Sequence, residues 1–212
     1  MKLDEFIKIT CNLPVIETEF LSAGVVDSGP LKVQISRWVK AGKLIQLRRG
    51  VYLLSKEYRK RDVFEPFIAS ILKKPSYLSL EKALEFHGLI PEAVPVYTSV
   101  TTKRAARFIS EAGEFVYQHI KQHLFWGYAS ITLNNQTAFI ATPEKALLDL
   151  IYFKGRKISP EYIEELRLQN EEKINLDKLF DYAKRFKKPK MMRAARIISD
   201  YIRSQKEGVK QL

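Results

Sequence analysis

The sequence is poor in the residue types that most often carry covalent or metal chemistry. Among its 212 residues there are one cysteine, Cys11, and three histidines. A single cysteine excludes an internal disulfide, which fits the reducing cytoplasm. His119 and His123 are four residues apart, but they straddle the end of a predicted strand, and no cysteine or acidic third ligand lies near them. We therefore expect no metal site and no other cofactor.

Long apolar runs and the signature motifs of enzymes are also missing. No stretch reaches the roughly 18 consecutive apolar residues of a membrane-spanning helix, and the first residues include Asp4 and Glu5 where a signal peptide would be basic and apolar. The chain has no glycine-rich phosphate loop, no Gly-x-Ser-x-Gly turn and no paired carboxylate motif. We therefore expect a cytoplasmic protein that is not an enzyme.

The excess of positive charge lies at the two ends of the chain. The net charge is +12, divided as +3 over residues 1–55, +1 over residues 56–183 and +8 over residues 184–212. A basic balance of this size is typical of proteins that meet nucleic acid, although a ribosome or a membrane surface also attracts basic proteins. The distribution indicates that contacts with a polyanion involve the two ends and not the middle.

Residues 1–57 have the pattern of a winged helix-turn-helix domain. Pro30 suits the first position of a helix, and Gly42 suits the position just after its end. Gly50 lies in a basic turn between two β-rich runs, as in a hairpin. The predicted elements are helices over Leu3–Ile9, Ile16–Ala23 and Leu31–Ala41, followed by a hairpin with strands over Lys43–Leu47 and Val51–Leu54.

A second domain is predicted over residues 63–212, after a densely charged linker at residues 56–62. Its pattern indicates an α+β domain with a mixed or antiparallel sheet and a helical C-terminal end. Ser79 is the expected N-cap of one helix, and Asn134-Asn135 is the expected turn between two strands. Helices are predicted over Val63–Leu72, Leu80–His87, Thr142–Phe153, Pro160–Leu168, Leu176–Phe186 and Lys190–Ser204, and strands over Val96–Thr101, Phe115–Ile120, Tyr128–Leu133 and Thr137–Ala141.

The third predicted helix combines an apolar stripe with a polar face. The stripe contains Leu31, Ile35 and Trp38 and can pack on the first two helices. The opposite face carries groups that read base edges in a major groove, where arginine bonds guanine and glutamine bonds adenine. The alternative is a basic face that is only solvated. The predicted base-reading residues are Val33, Gln34, Ser36 and Arg37, and the predicted phosphate contacts on this helix are Lys32 and Lys40.

The predicted hairpin adds a second basic element. Arg48 and Arg49 precede Gly50 at its tip, and Lys43 precedes its first strand. A tip of this kind lies along the phosphates or enters the minor groove. We therefore predict backbone contacts by Lys43, Arg48 and Arg49, which surround the third helix with positive charge.

The basic C-terminal end leaves several interpretations open. Apolar residues such as Ala194 and Ile198 alternate with cations at helical spacing. The cations form either a solvated face of the last helix or a second nucleic-acid surface, and docking of a protein partner is a third use. The residues of that second surface are Lys187, Lys188, Lys190, Arg193, Arg196 and Arg203.

One carboxylate interrupts an otherwise apolar predicted helix. The helix begins with Thr142 as N-cap, Pro143 at the first helical position and Glu144 beside the positive end of the helix dipole. Asp149 falls between two leucines further along, where an unpaired charge is costly. It is therefore exposed or paired inside the protein, or else it belongs to a functional surface.

Three motifs in order resemble the AbiEi-type antitoxins of the AbiE abortive-infection systems, a type IV toxin–antitoxin class. The segment Ser36–Leu44, continued by Arg48–Tyr52, resembles the winged-helix domain of that family. Tyr77–Leu84 resembles the start of its C-terminal domain, and Ala141–Leu150 resembles its most recognisable downstream motif. The resemblance extends over roughly residues 5–200, and its specificity comes from the three motifs occurring in this order.

The resemblance implies a repressor of its own operon that binds inverted repeats in double-stranded promoter DNA. It also implies an antitoxin whose C-terminal domain counters a nucleotidyltransferase-like toxin without a stable complex. We expect no membrane partner, and a monomer or weak dimer. Stand-alone members of the family make a winged-helix transcription factor with a sensing or partner-binding C-terminal domain the alternative. A third class, an enzyme acting on RNA or nucleotides, would need a carboxylate cluster that the sequence does not offer.

Overall fold

The computed structural model describes residues 1–19, 29–155 and 158–209. Over these residues the protein is mixed α+β, and the strands form one sheet of three strands and one of six. None of the described helices is both long enough and apolar enough to cross a membrane.

The smaller sheet lies in the N-terminal part of the chain. Two helices, α1 (Leu3–Thr10) and α2 (Gly29–Lys40), accompany three antiparallel strands in the order β1-β3-β2. The strands are β1 (Ile16–Glu17), β2 (Leu44–Arg48) and β3 (Val51–Leu54). The predicted first helix, third helix and hairpin are therefore confirmed, with ends that shift by one or two residues.

The helix predicted over Ile16–Ala23 is wrong at its start. Ile16 pairs with Tyr52 and Glu17 pairs with Val51, so both residues extend the hairpin into a third strand. Ile16 is only 1% exposed. Its burial against the sheet outweighs the weak helical pattern of a short segment. Thr18 and Glu19 are helical as predicted, and residues 20–23 of the predicted helix lie outside the described residues.

The second part of the chain contains the six-stranded mixed sheet, in the order β6-β7-β5-β4-β9-β8. The pairs β5–β7 and β4–β9 are parallel, and the other neighbours are antiparallel. The strands are β4 (Ser76–Leu78), β5 (Val96–Thr101), β6 (Ala106–Ser110), β7 (Gly113–His119), β8 (Tyr128–Leu133) and β9 (Gln136–Ala141).

Helices and short 3₁₀ turns surround this sheet. The α-helices are α3 (Glu65–Leu72), α4 (Leu80–Phe86), α5 (Pro143–Lys154), α6 (Pro160–Glu165), α7 (Leu176–Arg185) and α8 (Pro189–Val209), and the 3₁₀ turns are Gln122–Leu124 and Glu171–Lys173. The main core lies between these helices and the sheet. The helical C-terminal end is confirmed, with α8 longer and α6 shorter than predicted.

Two strands and one cap differ from the sequence prediction. β4 has three residues and β6 alternates between half-buried and exposed positions at the sheet edge, so neither carries a strong apolar signal. Ser79 does occupy the N-cap position of α4, but its side chain makes no capping hydrogen bond. Its hydroxyl donates to Asp149 instead, so the predicted N-cap position is confirmed but the side chain serves another partner.

The two predicted domains share an apolar cluster, which we call the shared core. It joins hairpin residues to α3 and to β7 of the large sheet; its buried members are Leu47, Val51, Leu53, Ile68, Ala69, Leu72, Phe115 and Tyr117. The predicted linker is also held in place where it meets α3. The Gln136 amide donates to the Asp62 carbonyl at 2.8 Å and accepts from the Phe64 amide at 2.9 Å. The hairpin therefore packs on the second part of the chain.

Candidate nucleic-acid interface

The α2 helix is held by its apolar stripe and by the turn that ends it. Ile35 and Trp38 are buried, and the Trp38 ring lies 4.8 Å from the ring of Phe6 in α1. Gly42 adopts a φ of +69°, a conformation that costs glycine little. Its amide donates to Val39 and the Lys43 amide donates to Trp38, at 3.0 and 2.9 Å. This turn leads directly from the helix into β2.

Most of the predicted base-reading residues lie on the solvent face of α2. Val33 is an apolar residue that is 52% exposed on this face. Ser36 and Arg37 are exposed, whereas Gln34 is half-buried at the edge of this face. The predicted phosphate contacts Lys32 and Lys40 are also exposed. We call the exposed set Lys32, Val33, Ser36, Arg37 and Lys40 the α2 polar face.

The two arginines at the hairpin tip have different surroundings. Arg49 is exposed, next to Gly50, whose carbonyl accepts a hydrogen bond from the Thr18 amide at 2.9 Å. Arg48 is half-buried, and its Nη1 donates to the Arg49 carbonyl at 3.3 Å. Its Nε is buried and has no hydrogen-bond partner among the described residues. Arg49 is therefore free to meet a phosphate, while Arg48 belongs partly to the packing of the hairpin.

Tyr117 of the shared core lies close to Arg48. The Tyr117 hydroxyl donates to the Ala69 carbonyl at 2.6 Å, inside the protein. Burial raises the pKa of this hydroxyl, and the nearby Arg48 charge lowers it by a smaller amount. The Arg48 charge is therefore within electrostatic range of a buried hydroxyl in the second part of the chain.

No described acidic residue neutralises the cations of the candidate interface. None of Lys32, Arg37, Lys40, Lys43 or Arg49 forms a salt bridge with another described residue. Lys43 is half-buried, and the other four are exposed. An arrangement of this kind favours binding of a polyanion, because its phosphates would replace only counterions and water.

Two of the predicted C-terminal cations contact other groups of the protein, and most of the set is exposed to solvent. Lys190 is half-buried, donates to the Ile151 carbonyl at 2.8 Å, and has a pKa lowered by burial. The Lys188 ammonium lies 4.5 Å from the centre of the Tyr152 ring. Five predicted residues are exposed, and Asp200 is exposed on α8; these five are Lys187, Lys188, Arg193, Arg196 and Arg203.

A buried polar cluster joins two of the segments that carry the family resemblance. Tyr77 and Ser79 come from the first segment, and each hydroxyl donates to Asp149 Oδ2 at 2.9 Å. Lys145 lies one helical turn before Asp149, with its ammonium on Asp149 Oδ1 and 2.9 Å from the Tyr77 hydroxyl. We call these four residues the buried cluster. Both charged side chains are 0% exposed, so Asp149 is paired inside the protein.

In the buried cluster, burial and ion pairing shift the pKa values of Lys145 and Asp149 in opposite directions. Burial raises the pKa of Asp149 and lowers the pKa of Lys145, while their mutual attraction acts against both shifts. Burial also raises the pKa of Tyr77, which keeps its hydroxyl a donor. Aromatic rings complete the enclosure, with Trp126 and Phe186 centred 4.9 and 5.0 Å from the Lys145 ammonium. Sequence reasoning did not single out Lys145, although its i, i+4 spacing with Asp149 is a visible signal.

The described residues contain no group of possible metal ligands, and two of the histidines contact backbone carbonyls. Among residues 1–19, 29–155 and 158–209, no three His, Cys, Asp or Glu side chains are grouped as a metal site. The His119 ring contacts the Lys103 carbonyl at 3.0 Å. The His87 Nε2 lies 2.7 Å from the Ala141 carbonyl, and burial lowers the pKa of its imidazole.

Comparison with known proteins identifies no family for this chain. No protein-family model matches the chain, and no curated protein matches it.

Proposed function

We propose that this chain is a DNA-binding transcriptional autorepressor and antitoxin of a type IV toxin–antitoxin system. The observation that carries the DNA-binding part is the α2 polar face, whose exposed cations form no salt bridge with a described residue, as is also true of the exposed Arg49 of the hairpin tip. In this proposal residues 1–57 form a winged helix-turn-helix domain, α2 is its recognition helix and the hairpin is its wing.

The proposed contacts divide into base reading and phosphate binding. Arg37 and Ser36 reach base edges in the major groove, and Val33 contacts a thymine methyl group. Gln34 is half-buried, so its part in base readout depends on a turn of its side chain toward the groove. Lys32, Lys40, Lys43 and Arg49 hold the phosphates, which fixes orientation without reading sequence.

The antitoxin part rests on the sequence motifs of residues 77–84 and 141–150. Their side chains pack together in the buried cluster, which supports the interpretation that both motifs preserve one structural unit. In the proposal this domain counters a nucleotidyltransferase-like toxin in the cytoplasm, without a stable complex. The chain itself is not an enzyme and uses no cofactor, and it acts as a monomer or weak dimer on inverted repeats.

Titration of promoter DNA tests the DNA-binding part. Fluorescence anisotropy compares a duplex from the region upstream of this gene with a duplex of shuffled sequence. We expect Arg37→Ala to weaken binding to the upstream duplex by about 1–3 kcal/mol and to leave the shuffled duplex nearly unaffected. The matched control Lys40→Ala should weaken binding to both duplexes equally. Equal loss on both duplexes for Arg37→Ala would contradict base readout by α2.

Co-expression tests the antitoxin part. A nucleotidyltransferase-like gene next to this one should arrest growth, and the full chain should relieve the arrest even when Arg37 and Arg49 are replaced by alanine. Failure to relieve the arrest would contradict the antitoxin role and leave the second candidate, a stand-alone transcription factor with a sensing domain. A cavity between α3, the start of β4 and the β8–β9 hairpin, described below, favours that second candidate.

A further inference from the structure

The second part of the chain contains a cavity that none of the contacts described above uses. It has a volume of about 480 Å³ and lies between α3, the start of β4 and the β8–β9 hairpin. Cavities of about 300–1,000 Å³ are typical of sites for small molecules. Its position away from α2 means that an occupant would not compete directly for DNA.

Aromatic rings form one wall of the cavity. The Phe125 and Tyr128 rings are centred 5.3 Å apart, and the Tyr128 and Phe139 rings are centred 5.7 Å apart. Phe139 is 42% exposed, although an aromatic ring gains free energy on burial. The Tyr128 ring is inclined by 59° to the Phe125 ring and by 79° to the Phe139 ring. A flat aromatic ligand would therefore stack on one ring, meet the others edge to face, and remove Phe139 from water.

One polar group in the cavity has no hydrogen-bond partner. Ser76 is 6% exposed, and its Oγ is buried without a partner among the described residues. The other lining hydroxyls of this type are occupied, because Ser70 donates to the Pro66 carbonyl and Thr137 shares a hydrogen bond with Thr132. A buried hydroxyl left unpaired costs free energy, so a ligand that bonds Ser76 would recover it.

A cation lies at the rim of the same cavity. Lys74 lines it and is exposed, and no described residue pairs with its ammonium. We propose that this cavity binds a small aromatic acid. The ligand ring packs among the Phe125, Tyr128 and Phe139 rings, the Ser76 hydroxyl bonds a polar atom of the ligand, and the Lys74 ammonium pairs with the carboxylate.

A ligand bound in this cavity should change the affinity of the protein for DNA, a consequence that rests on the proposed function. Ile71 of α3 lines the cavity and also packs on the shared core. The neighbouring α3 residues Ile68 and Leu72 contact that core directly, together with Leu47 and Val51 of the hairpin. A shift of α3 on ligand binding is therefore transmitted to the proposed wing.

Calorimetric titration with naphthoate tests the site on the full chain without DNA. We expect saturable binding with one ligand per chain, and at least tenfold weaker binding of cyclohexanecarboxylate, which has no aromatic face. Ser76→Ala should weaken naphthoate binding about threefold to tenfold. Lys74→Gln should weaken naphthoate binding and leave binding of the neutral naphthylmethanol unchanged. Equal affinity of wild type for the acid and the alcohol would overturn the assignment to an acid.

A variant with a bulky side chain in the cavity distinguishes binding in this cavity from binding to other apolar surfaces. Thr137 is exposed and lines the cavity, so Thr137→Trp fills it from the rim without changing a buried residue. We expect at least a tenfold loss of naphthoate affinity. The matched control Leu133→Trp adds the same ring to an exposed position of the same hairpin outside the cavity lining, and should bind as wild type does. Unchanged affinity in Thr137→Trp, or no binding to wild type, would overturn the site.

Anisotropy with promoter DNA then tests the regulatory consequence. Saturating naphthoate should change the affinity of wild type for DNA at least threefold and leave that of Thr137→Trp unchanged. Ligand binding by calorimetry without any change in DNA affinity would overturn the coupling through α3. Absence of DNA binding with or without naphthoate would instead contradict the proposed function, while calorimetry still decides the ligand site.

Discussion

At the residue scale, the buried cluster is where charge and burial conflict most strongly. Lys145 and Asp149 are both fully buried, and desolvation of each charge is offset by their ion pair and by the Tyr77 and Ser79 hydroxyls. Removing one partner of such a pair costs more than removing both, because the remaining charge is left buried without compensation. The cluster therefore makes the packing of α5 on β4 specific.

Lys145→Met should destabilise the protein by about 3–5 kcal/mol at neutral pH. Without the ammonium, burial raises the pKa of Asp149 further above its ordinary value of 3.8. A raised folded-state pKa stabilises the fold below the unfolded value, and this stabilisation is lost as pH rises through the folded value. The deficit of the variant should therefore shrink as pH falls from neutral toward 4, as measured by urea unfolding.

The double variant Lys145→Met with Asp149→Leu provides the internal comparison. It should be more stable at neutral pH than Lys145→Met alone, because no charge remains buried. Lys184→Met is the control for loss of a lysine from an exposed ion pair, and its effect should stay within about 0.5 kcal/mol. A pH-independent deficit in Lys145→Met would contradict an uncompensated Asp149 charge.

At the element scale, α2 and the hairpin present their charges in different ways. The α2 polar face follows directly from helical periodicity, whereas the hairpin tip separates two adjacent arginines. Arg48, the last residue of β2, is half-buried, whereas Arg49 in the turn is exposed. The proposed wing should therefore contact phosphate mainly through Arg49.

Arg49→Ala should reduce the salt dependence of DNA binding by about one phosphate contact. The slope of log affinity against log salt concentration should fall in magnitude by roughly 0.9, equally for promoter and shuffled duplexes. Arg167→Ala removes an exposed arginine from the second part of the chain, where it pairs with Glu92, and should leave the slope unchanged. The same slope in Arg49→Ala and wild type would mean that the tip does not touch the DNA backbone.

At the scale of the whole molecule, the shared core links the two predicted domains. Hairpin residues Leu47, Val51 and Leu53 bury their side chains against α3 and β7, so neither part completes this cluster by itself. The Gln136 hydrogen bonds to the chain on both sides of Val63 add a second connection. A cooperative unfolding unit that includes both parts follows from this arrangement.

Ile68→Ala should lower the stability of both parts together, by about 2–5 kcal/mol. Ile68 is 1% exposed in the shared core, and its truncation removes contacts from α3, the hairpin and the large sheet at once. Trp38 reports on the N-terminal part and Trp126 on the other part, in variants that each retain one tryptophan. Their urea midpoints should coincide and shift equally, whereas separate midpoints would contradict a single unit.

Much of the local structure was predictable because it depends on periodicity and turn residues. Gly42 and Gly50 mark a helix end and a hairpin tip, and both adopt positive φ as expected of such positions. The parts that could not be predicted depend on long-range contacts. Ile16 belongs to a strand because it pairs with Tyr52, and the Ser79 hydroxyl makes no capping hydrogen bond because it donates to Asp149.

The sequence by itself determined the α2 polar face, the hairpin and its basic tip, since these follow from the chemistry of neighbouring residues. The tertiary structure alone decided which charges remain available. It buried Asp149 with Lys145, half-buried Arg48 and left Arg49 in solvent. It also enclosed Ser76 and Phe139 in one cavity, although they are far apart in the chain. Burial and pairing depend on which distant segments meet, and that information is absent from local sequence spacing.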